Sequence, residues 1–556
     1  MSENYWNDRY WPRIMKQRLS RRRLIQIGAL GTAGAVSAAY LGCGTDEGEG
    51  GKTTTGPTAA GETPVPGGSF TLGSASAPSS MDPALFGGGG SDLVALYNMY
   101  DAPVIRDYSA EGEIVLLPSL AESWEWIDDT HLSMKFRQDV EFHDGTDFNA
   151  SAAKAHYDRI LNPETNSTRI ADYKMLDHVE QVDDFSATYV LKFKNVLFVS
   201  ALMGWGSSIP SPTAVAKYGV DYPNHPTGTG AFMFKRQEPG ALYEFEKNPN
   251  YWRKGQPLLD GFKIKIVPDK AVAAAALKAG DIDGASGAEL DQKDISSFQN
   301  DPKFEVYVGG ASGMKQIWIN KSRPPGDNIH LRKAMSLAIN RDEFVDKYSG
   351  LAFVSPGPLP RRSPWDNPDE PDPEYNLDKA KEEMKLAGLE DGVTINIYST
   401  TDPTDLSDAE LLLAQWAKIG VKANFEFIAL VVAAVKLNAG EFDFAFGSFG
   451  AALGDIDYVM ETIFTTGGFF NGGATKDDRI DQLVNRGKND EADFATRRAT
   501  YWAAMRIINE NFYQIWVIGQ PDVVVMKKEI RGYIPRSEPG GPGYEQQFRG
   551  YWISKQ

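Results

Sequence analysis

Val393-Thr394-Ile395-Asn396-Ile397-Tyr398-Ser399, Val421-Lys422-Ala423-Asn424-Phe425-Glu426-Phe427 and Phe442-Asp443-Phe444-Ala445-Phe446 each carry apolar residues at every second position. That period places one set of side chains on one face of a strand. Between the first two segments, Ser407 and Glu410 read as a capping box for a helix that stops at Gly420. Between the second and third, a helix over roughly 429–439 is expected to end at Gly440. The order strand, helix, strand, helix, strand predicts an α/β domain with a partly parallel sheet.

Working outward, helices are expected near 330–348, 377–387 and 479–512. Towards the amino terminus, Phe70 and Leu72 begin a short strand. Leu132, Met134 and Phe136 alternate, as do Tyr189, Leu191 and Phe193, which predicts half-buried antiparallel strands. Asn149 can cap a helix running to about Leu161, and Phe262, Ile264 and Ile266 lead into an alanine-rich helix, Val272–Ala279, closed by Gly280. At about 150 residues per domain, 556 residues imply more than one core.

The charge balance narrows the function. Acidic residues outnumber basic ones by 75 to 57, and a net charge of −18 repels phosphate backbones, so nucleic acid is not an expected partner. One cysteine excludes a disulfide framework and any multi-thiolate metal site. The six histidines are scattered with no HxxxH pair, so no zinc site is expected. Phosphate-binding, metalloprotease and nucleophile-elbow motifs are absent, Gly228-Thr229-Gly230 lacks the third glycine of a dinucleotide fingerprint, and Asp281-Ile282-Asp283-Gly284 has its glycine in the wrong place for a calcium loop. Asp455 and Asp457 have no neighbouring base and read as loop or capping groups. No catalytic residue, metal or cofactor is expected.

The amino terminus is different. Residues 1–23 carry seven basic side chains against Glu3 and Asp8, and Leu24 to Cys43 carries no charge, which is the pattern of an export signal. Ser20-Arg21-Arg22-Arg23-Leu24-Ile25 resembles a twin-arginine motif, and Tyr40-Leu41-Gly42-Cys43 resembles a lipobox in which Cys43 becomes acylated, with Tyr40 departing from the usual aliphatic residue. Gly44 to Pro66, rich in Gly, Thr, Pro and Glu, reads as a flexible tether. Together these predict a folded body held outside the cytoplasmic membrane by a lipid anchor.

Three groups of segments then carry a resemblance. They are Leu120-Ala121-Glu122-Ser123-Trp124 with Phe136 to Thr146; Pro226-Thr227-Gly228-Thr229-Gly230-Ala231-Phe232 with Asn248-Pro249-Asn250-Tyr251-Trp252 and Leu277 to Asp283; and Leu331-Arg332-Lys333-Ala334-Met335-Ser336-Leu337-Ala338-Ile339-Asn340-Arg341. In order and spacing they resemble the extracytoplasmic solute-binding proteins of peptide and nickel ABC importers. Read without the resemblance, Phe142-His143-Asp144-Gly145 is a strand entering a tight turn, His143 is a hydrogen-bonded turn residue, and Gly228 and Gly230 flank a crossover between domains.

The resemblance implies an α/β, two-lobed periplasmic-binding-protein-like fold with a hinge and an extra inserted domain. Residues 1–43 would be the signal, 44–66 the tether, 67–100 with 226–312 and 518–556 lobe one, 101–225 the inserted domain, and 313–517 lobe two. It also implies capture of a solute by hinge closure and delivery to ABC permease and ATPase subunits by a monomeric, non-enzymatic protein. In peptide-binding members a cleft loop reads Gly-Trp-x-x-Asp, whose aspartate pairs with the peptide amino terminus. Ser448-Phe449-Gly450-Ala451-Ala452 stands in its place, so Phe449 replaces the tryptophan and Ala452 the aspartate. A buried ammonium without a counter-charge is costly, so ordinary free-amine peptides are demoted and other small polar solutes stay open. Phe449 and Trp318 are candidate stacking groups, Arg361 and Arg362 candidate partners for an anionic ligand group, and Asp455 and Asp457 loop-shaping residues. Two other readings compete: a sensory or scaffolding surface lipoprotein of this fold, and an exported hydrolase.

Overall fold

The computed structural model describes residues 64–86, 90–108, 114–195, 198–203, 205–359, 361, 363, 365–449, 456–472, 475–489, 493–533 and 548–554. Ten strands share one sheet: β1 (Ser69–Ser74), β2 (Phe232–Glu238), β3 (Leu242–Lys247), β4 (Gly261–Ile266), β5 (Gly284–Ser286), β6 (Phe304–Ile319), β7 (Val393–Thr400), β8 (Val421–Ile428), β9 (Phe444–Phe449) and β10 (Gln514–Lys527). Their order is β8-β7-β9-β6-β10-β5-β1-β4-β3-β2. The long central strands β6 and β10 run antiparallel and belong to both halves.

The expected βαβαβ unit is present, with β7 parallel to both β8 and β9. Its first helix differs from expectation. It spans Pro403–Ala417 and is capped by Asp402, whose side chain accepts from the Thr404 N–H. Ser407 and Glu410 therefore lie inside the helix: proline at the first helical turn with an aspartate before it is the stronger start signal. The second helix, Leu430–Ala439, ends at Gly440 in the left-handed region as the sequence indicates. The segment 330–348 is two helices, Ile329–Leu337 and Arg341–Lys347, and 479–512 divides into Asp478–Asn489 and Phe494–Glu510. Asn340 and Asp493 each begin a new helix there, which an apolar period alone does not reveal.

This half of the sheet is covered on both faces. Ile317, Ile395, Ile397, Phe444 and Phe446 pack against Leu331, Met335, Leu412 and Trp416. Trp318, Tyr398, Ala445 and Trp516 pack against Ile456, Met460, Tyr501 and Ile508. Each fully buried large side chain contributes about 1.5–3 kcal/mol of transfer free energy.

A separate four-stranded antiparallel sheet is built from Ala121–Trp126, His131–Phe136, Ser186–Leu191 and Leu176–Asp183 in that spatial order. It packs on the helix Ala150–Leu161, for which Asn149 is the cap, its side chain accepting from the Ala152 N–H. Phe193 lies beyond the strand and is half exposed. Gly145 takes φ +79°, as its turn requires. Among the described residues no helix is long and apolar enough to cross a membrane.

Candidate functional site

Strand direction locates the site. β1 runs parallel to β4 and β5, and β5 proceeds along β10 from Met526 to Val524. On the other side, β9 proceeds along β6 from Ile319 to Met314, with β7 and β8 parallel to it. The carboxyl ends of both parallel sets thus converge on the middle of β6 and β10. In α/β sheets that is where ligands bind. The register of β6 against β10 slips between Val308 and Ala311, again between Ala311 and Gly313, and again between Lys315 and Gln316, so the two shared strands are irregular at this waist. Bulges bend and twist strands locally.

On one side of the waist, the Ala75 N–H donates to Glu289 Oε2 at 2.9 Å, joining the exits of β1 and β5. On the other, β9 ends at Phe449, which is half-buried, opposite Met314. Its ring meets Phe470 edge-on at 5.2 Å, and Phe470 meets the exposed Phe469 at 4.8 Å. The Ser448 hydroxyl donates to Gln520 Oε1 of β10. Phe449 therefore stands at the rim, where a ring can stack on a solute.

The other candidates lie elsewhere. Trp318 is buried in the core beside Tyr398 and Trp516, 7% exposed, rather than on an open wall. Its indole N–H, both amide atoms of Gln316 and the Gln514 Nε2 are buried without partners, and strand register places these residues on one face. Arg361 is engaged by its own loop: Nε and Nη2 donate to Asp372 Oδ1 at 2.9 and 2.8 Å, and Nη1 donates to the Asn367 carbonyl at 2.9 Å. Asp457 belongs to the first turn of the helix Ile456–Phe464, where it accepts from Arg497 and the Tyr501 hydroxyl. Cys43, Arg362, Ala452 and Asp455 fall outside the described residues.

Sequence reasoning missed a buried charge network beside the waist. Lys315 of β6, fully buried, donates to Asp405 Oδ1 at 2.7 Å and pairs with Asp408 Oδ2 at 2.6 Å. Lys347 also pairs with Asp408, the Tyr348 hydroxyl donates to Asp408 Oδ2 at 2.8 Å, and the Thr400 hydroxyl donates to Asp405. Against the cost of burial, Tyr348, Asp408 and Asp405 together hold the Lys315 ammonium above its usual range. Its trace in the sequence is a lysine flanked by Met314 and, two residues on, Ile317 in a central strand.

His143 is a turn residue in the structure as well. Its Nδ1 accepts from the Gly228 N–H at 3.3 Å and its Nε2–H donates to the Gly230 carbonyl at 3.0 Å, while burial pushes its pKa down to about 4. A side chain at Gly228 would place Cβ 2.2 Å from the Met99 carbonyl oxygen, and one at Gly230 2.4 Å from the Met99 carbonyl carbon. These glycines are there for close approach of two backbones. Among the described residues no cluster of three or more His, Cys, Asp or Glu side chains is placed to hold a metal ion.

The model of the bacterial extracellular solute-binding proteins, family 5 Middle, matches residues 115–471. The chain belongs to this family. The glutathione-binding protein GsiB of Pectobacterium atrosepticum is 28% identical over 367 residues, covering 65% of this chain and 71% of that protein. The periplasmic binding protein DppA of Helicobacter pylori, solved with the peptide STSA, superposes with a TM-score of 0.72 at 23% identity, over 88% of this chain and 99% of DppA. NikA of Brucella suis, solved with Fe(III)-EDTA, superposes at 0.76 with 18% identity, over 88% of this chain and 100% of NikA. The family 5 proteins are extracytoplasmic binding components of ABC importers rather than enzymes, and the fold is that of periplasmic binding proteins.

Proposed function

We propose that this family 5 protein is a lipid-anchored, monomeric receptor that captures a small peptide-like or other polar solute at the waist and delivers it to a membrane permease. Cys43 would carry the lipid and 44–66 the tether. Residues 67–100, 226–312 and 518–556 would close as lobe one, carrying the inserted 101–225, upon lobe two, 313–517. The observation carrying this reading is the convergence of two sets of strand ends on an irregular stretch of two shared strands. A hinge needs a few residues that absorb backbone change, and closure there would bury the solute from water.

Phe449 supplies a stacking surface, and Arg362 would be the cation for an anionic group, Arg361 being occupied by Asp372. With alanine at 452, the solute does not present a lone peptide ammonium to that loop. Glutathione is the first solute to test, because a curated relative carries its name. Thermal unfolding of the C43S chain with glutathione, simple dipeptides, opines and nickel–histidine tests this, since a ligand of the native state raises the melting temperature. A rise with glutathione or an opine and none with dipeptides is expected. A larger rise with dipeptides would overturn the reading of Ala452, and a rise with none of them the receptor reading itself.

A further inference from the structure

Away from the waist, where the four-stranded layer meets the large sheet, three arginines lie beside Asp101 or the Trp252 ring that bonds it. Asp101, buried, accepts from the Tyr251 hydroxyl at 3.2 Å, the Thr229 hydroxyl at 3.1 Å and the Trp252 Nε1–H at 2.9 Å. Arg549 Nη1 donates to the Tyr251 hydroxyl at 3.1 Å and lies 3.9 Å from Asp101 Oδ1. The guanidinium carbons of Arg253 and Arg137 lie 4.2 and 4.7 Å from the centre of the Trp252 ring. Arg137 Nε is taken by the Ser119 carbonyl at 2.6 Å.

Arg253 is not so served. Its Nε and Nη2 are buried and have no hydrogen-bond partner, and on the same turn Gln256 Oε1 is buried and unpartnered too. Those two nitrogens form the edge of a guanidinium whose parallel N–H bonds grip a pair of oxygens. This chain shows the edge in use: Arg479 Nε and Nη2 hold Asp477 at 2.9 and 2.6 Å. Arg253 has the same fork without an acid, beside a second cation. Burial first and then the nearby Arg549 disfavour its charge, and Tyr251 and Asp101 only partly offset them, so a bound anion would favour it further.

We propose that Arg253, Arg549 and Gln256 form a site for a phosphate group that retains one proton. Two of its oxygens occupy the Arg253 fork, Arg549 supplies the second positive charge, and the remaining P–OH donates to Gln256 Oε1. Free hydrogen phosphate and a phosphate monoester on a lipid headgroup share this chemistry. The site adjoins the entry of the chain into the sheet, because the Gly67 N–H donates to the Leu258 carbonyl at 2.8 Å and the Leu258 N–H donates to the Arg549 carbonyl at 3.3 Å. The inference does not depend on the identity of the solute.

The test uses the full chain carrying C43S, which removes the acylation thiol. Potassium phosphate should raise the melting temperature above sodium chloride of equal ionic strength. In R253K, which keeps the charge and loses the fork, phosphate should bind at least tenfold more weakly. Flotation with phosphatidic acid vesicles that R253K reduces assigns the lipid source, and a phosphate response with equal flotation of both proteins assigns the free anion. An equal phosphate response in both proteins overturns the site, as does no response to either phosphate or vesicles. A crystal structure grown in phosphate decides independently of the variant. Density for the anion on the fork supports the site, and water alone or Gln256 Oε1 folded onto the fork refutes it.

Discussion

Acid should loosen this protein through His156. His156 lies in the helix Ala150–Leu161, 2% exposed, with Nε2–H donating to the Gly206 carbonyl at 2.6 Å. Its Nδ1 is buried without a partner, so a second proton there would meet no acceptor. Burial lowers its pKa from 6.5 to about 4. The unfolded chain takes up the proton near 6.5 and the folded one only near 4, so acidification favours the unfolded state. Stability is complete above 6.5, falls through that window and levels off below it. At 1.36 kcal/mol per unit, the loss at pH 5 is about 2 kcal/mol, approaching about 3 at pH 4.

Urea unfolding at pH 7.5 and 5.0, for the native sequence and for H156Q, measures this. Glutamine keeps an N–H for Gly206 and cannot be protonated. The stability lost between the two pH values should be about 2 kcal/mol smaller in H156Q. His143, also lowered to about 4, adds a loss of the same sign in both proteins. Lys321, half-buried and donating to the Ile319 and Tyr513 carbonyls, is lowered to about 7 by desolvation and adds about 1 kcal/mol more. His178, raised by Asp177 and Glu180, works in the opposite direction, but it is well exposed and screened. If H156Q loses as much stability as the native sequence, or if the His156 ring titrates near 6.5 by NMR, the reasoning fails.

The remaining expectations concern the waist. Lys315→Met leaves Asp405 and Asp408 with one fewer cation and should destabilise the protein by about 3–5 kcal/mol in urea; a loss under 1 kcal/mol would show the network to be wet. Gln316→Met with Gln514→Met removes a buried amide without partners and a buried Nε2 without an acceptor, and should leave stability unchanged or raise it by about 1–2 kcal/mol, read from the melting temperature. If solute affinity falls in that variant while stability rises, those amides serve the ligand. Phe449→Ala should weaken the solute found by thermal shift about tenfold in calorimetric titration, equivalent to about 1.4 kcal/mol, with no change in far-ultraviolet circular dichroism.

The architecture was legible where periodicity and end signals agreed. β7, β8 and β9 follow from alternation, and Asn149 and Gly440 mark helix ends because capping is a local, single-residue effect. Ser407 misled because a capping box inside a helix looks the same in sequence as one at its start, and only the chain's path shows Asp402 to be the cap. The site was legible less evenly. Phe449 ends a strand, but the alternation of Phe442, Phe444 and Phe446 stops short of it, and only the family resemblance singles it out. The fate of Arg361 depends on Asp372 and of Lys315 on Asp405 and Asp408, ninety residues or so away for the latter pair. No local pattern carries that pairing.

The segments that identify the family are distributed in a way that explains their silence about the ligand. His143 and Asn248 both donate to the Gly230 carbonyl, at 3.0 Å each, and Gly228 and Gly230 press on the Met99 backbone. Arg332 donates to the carbonyls of Gly326, Asn511 and Phe512, and Arg341 to those of Ser336, Ile339 and Trp516, so each bonds three backbone carbonyls. These residues weld layers together, and substituting them disturbs the fold whatever the solute. The waist is built instead from strand ends, of which Phe449 is one. A fold retained at 18–23% identity around bound ligands as unlike as a tetrapeptide and an iron chelate is what this separation would produce.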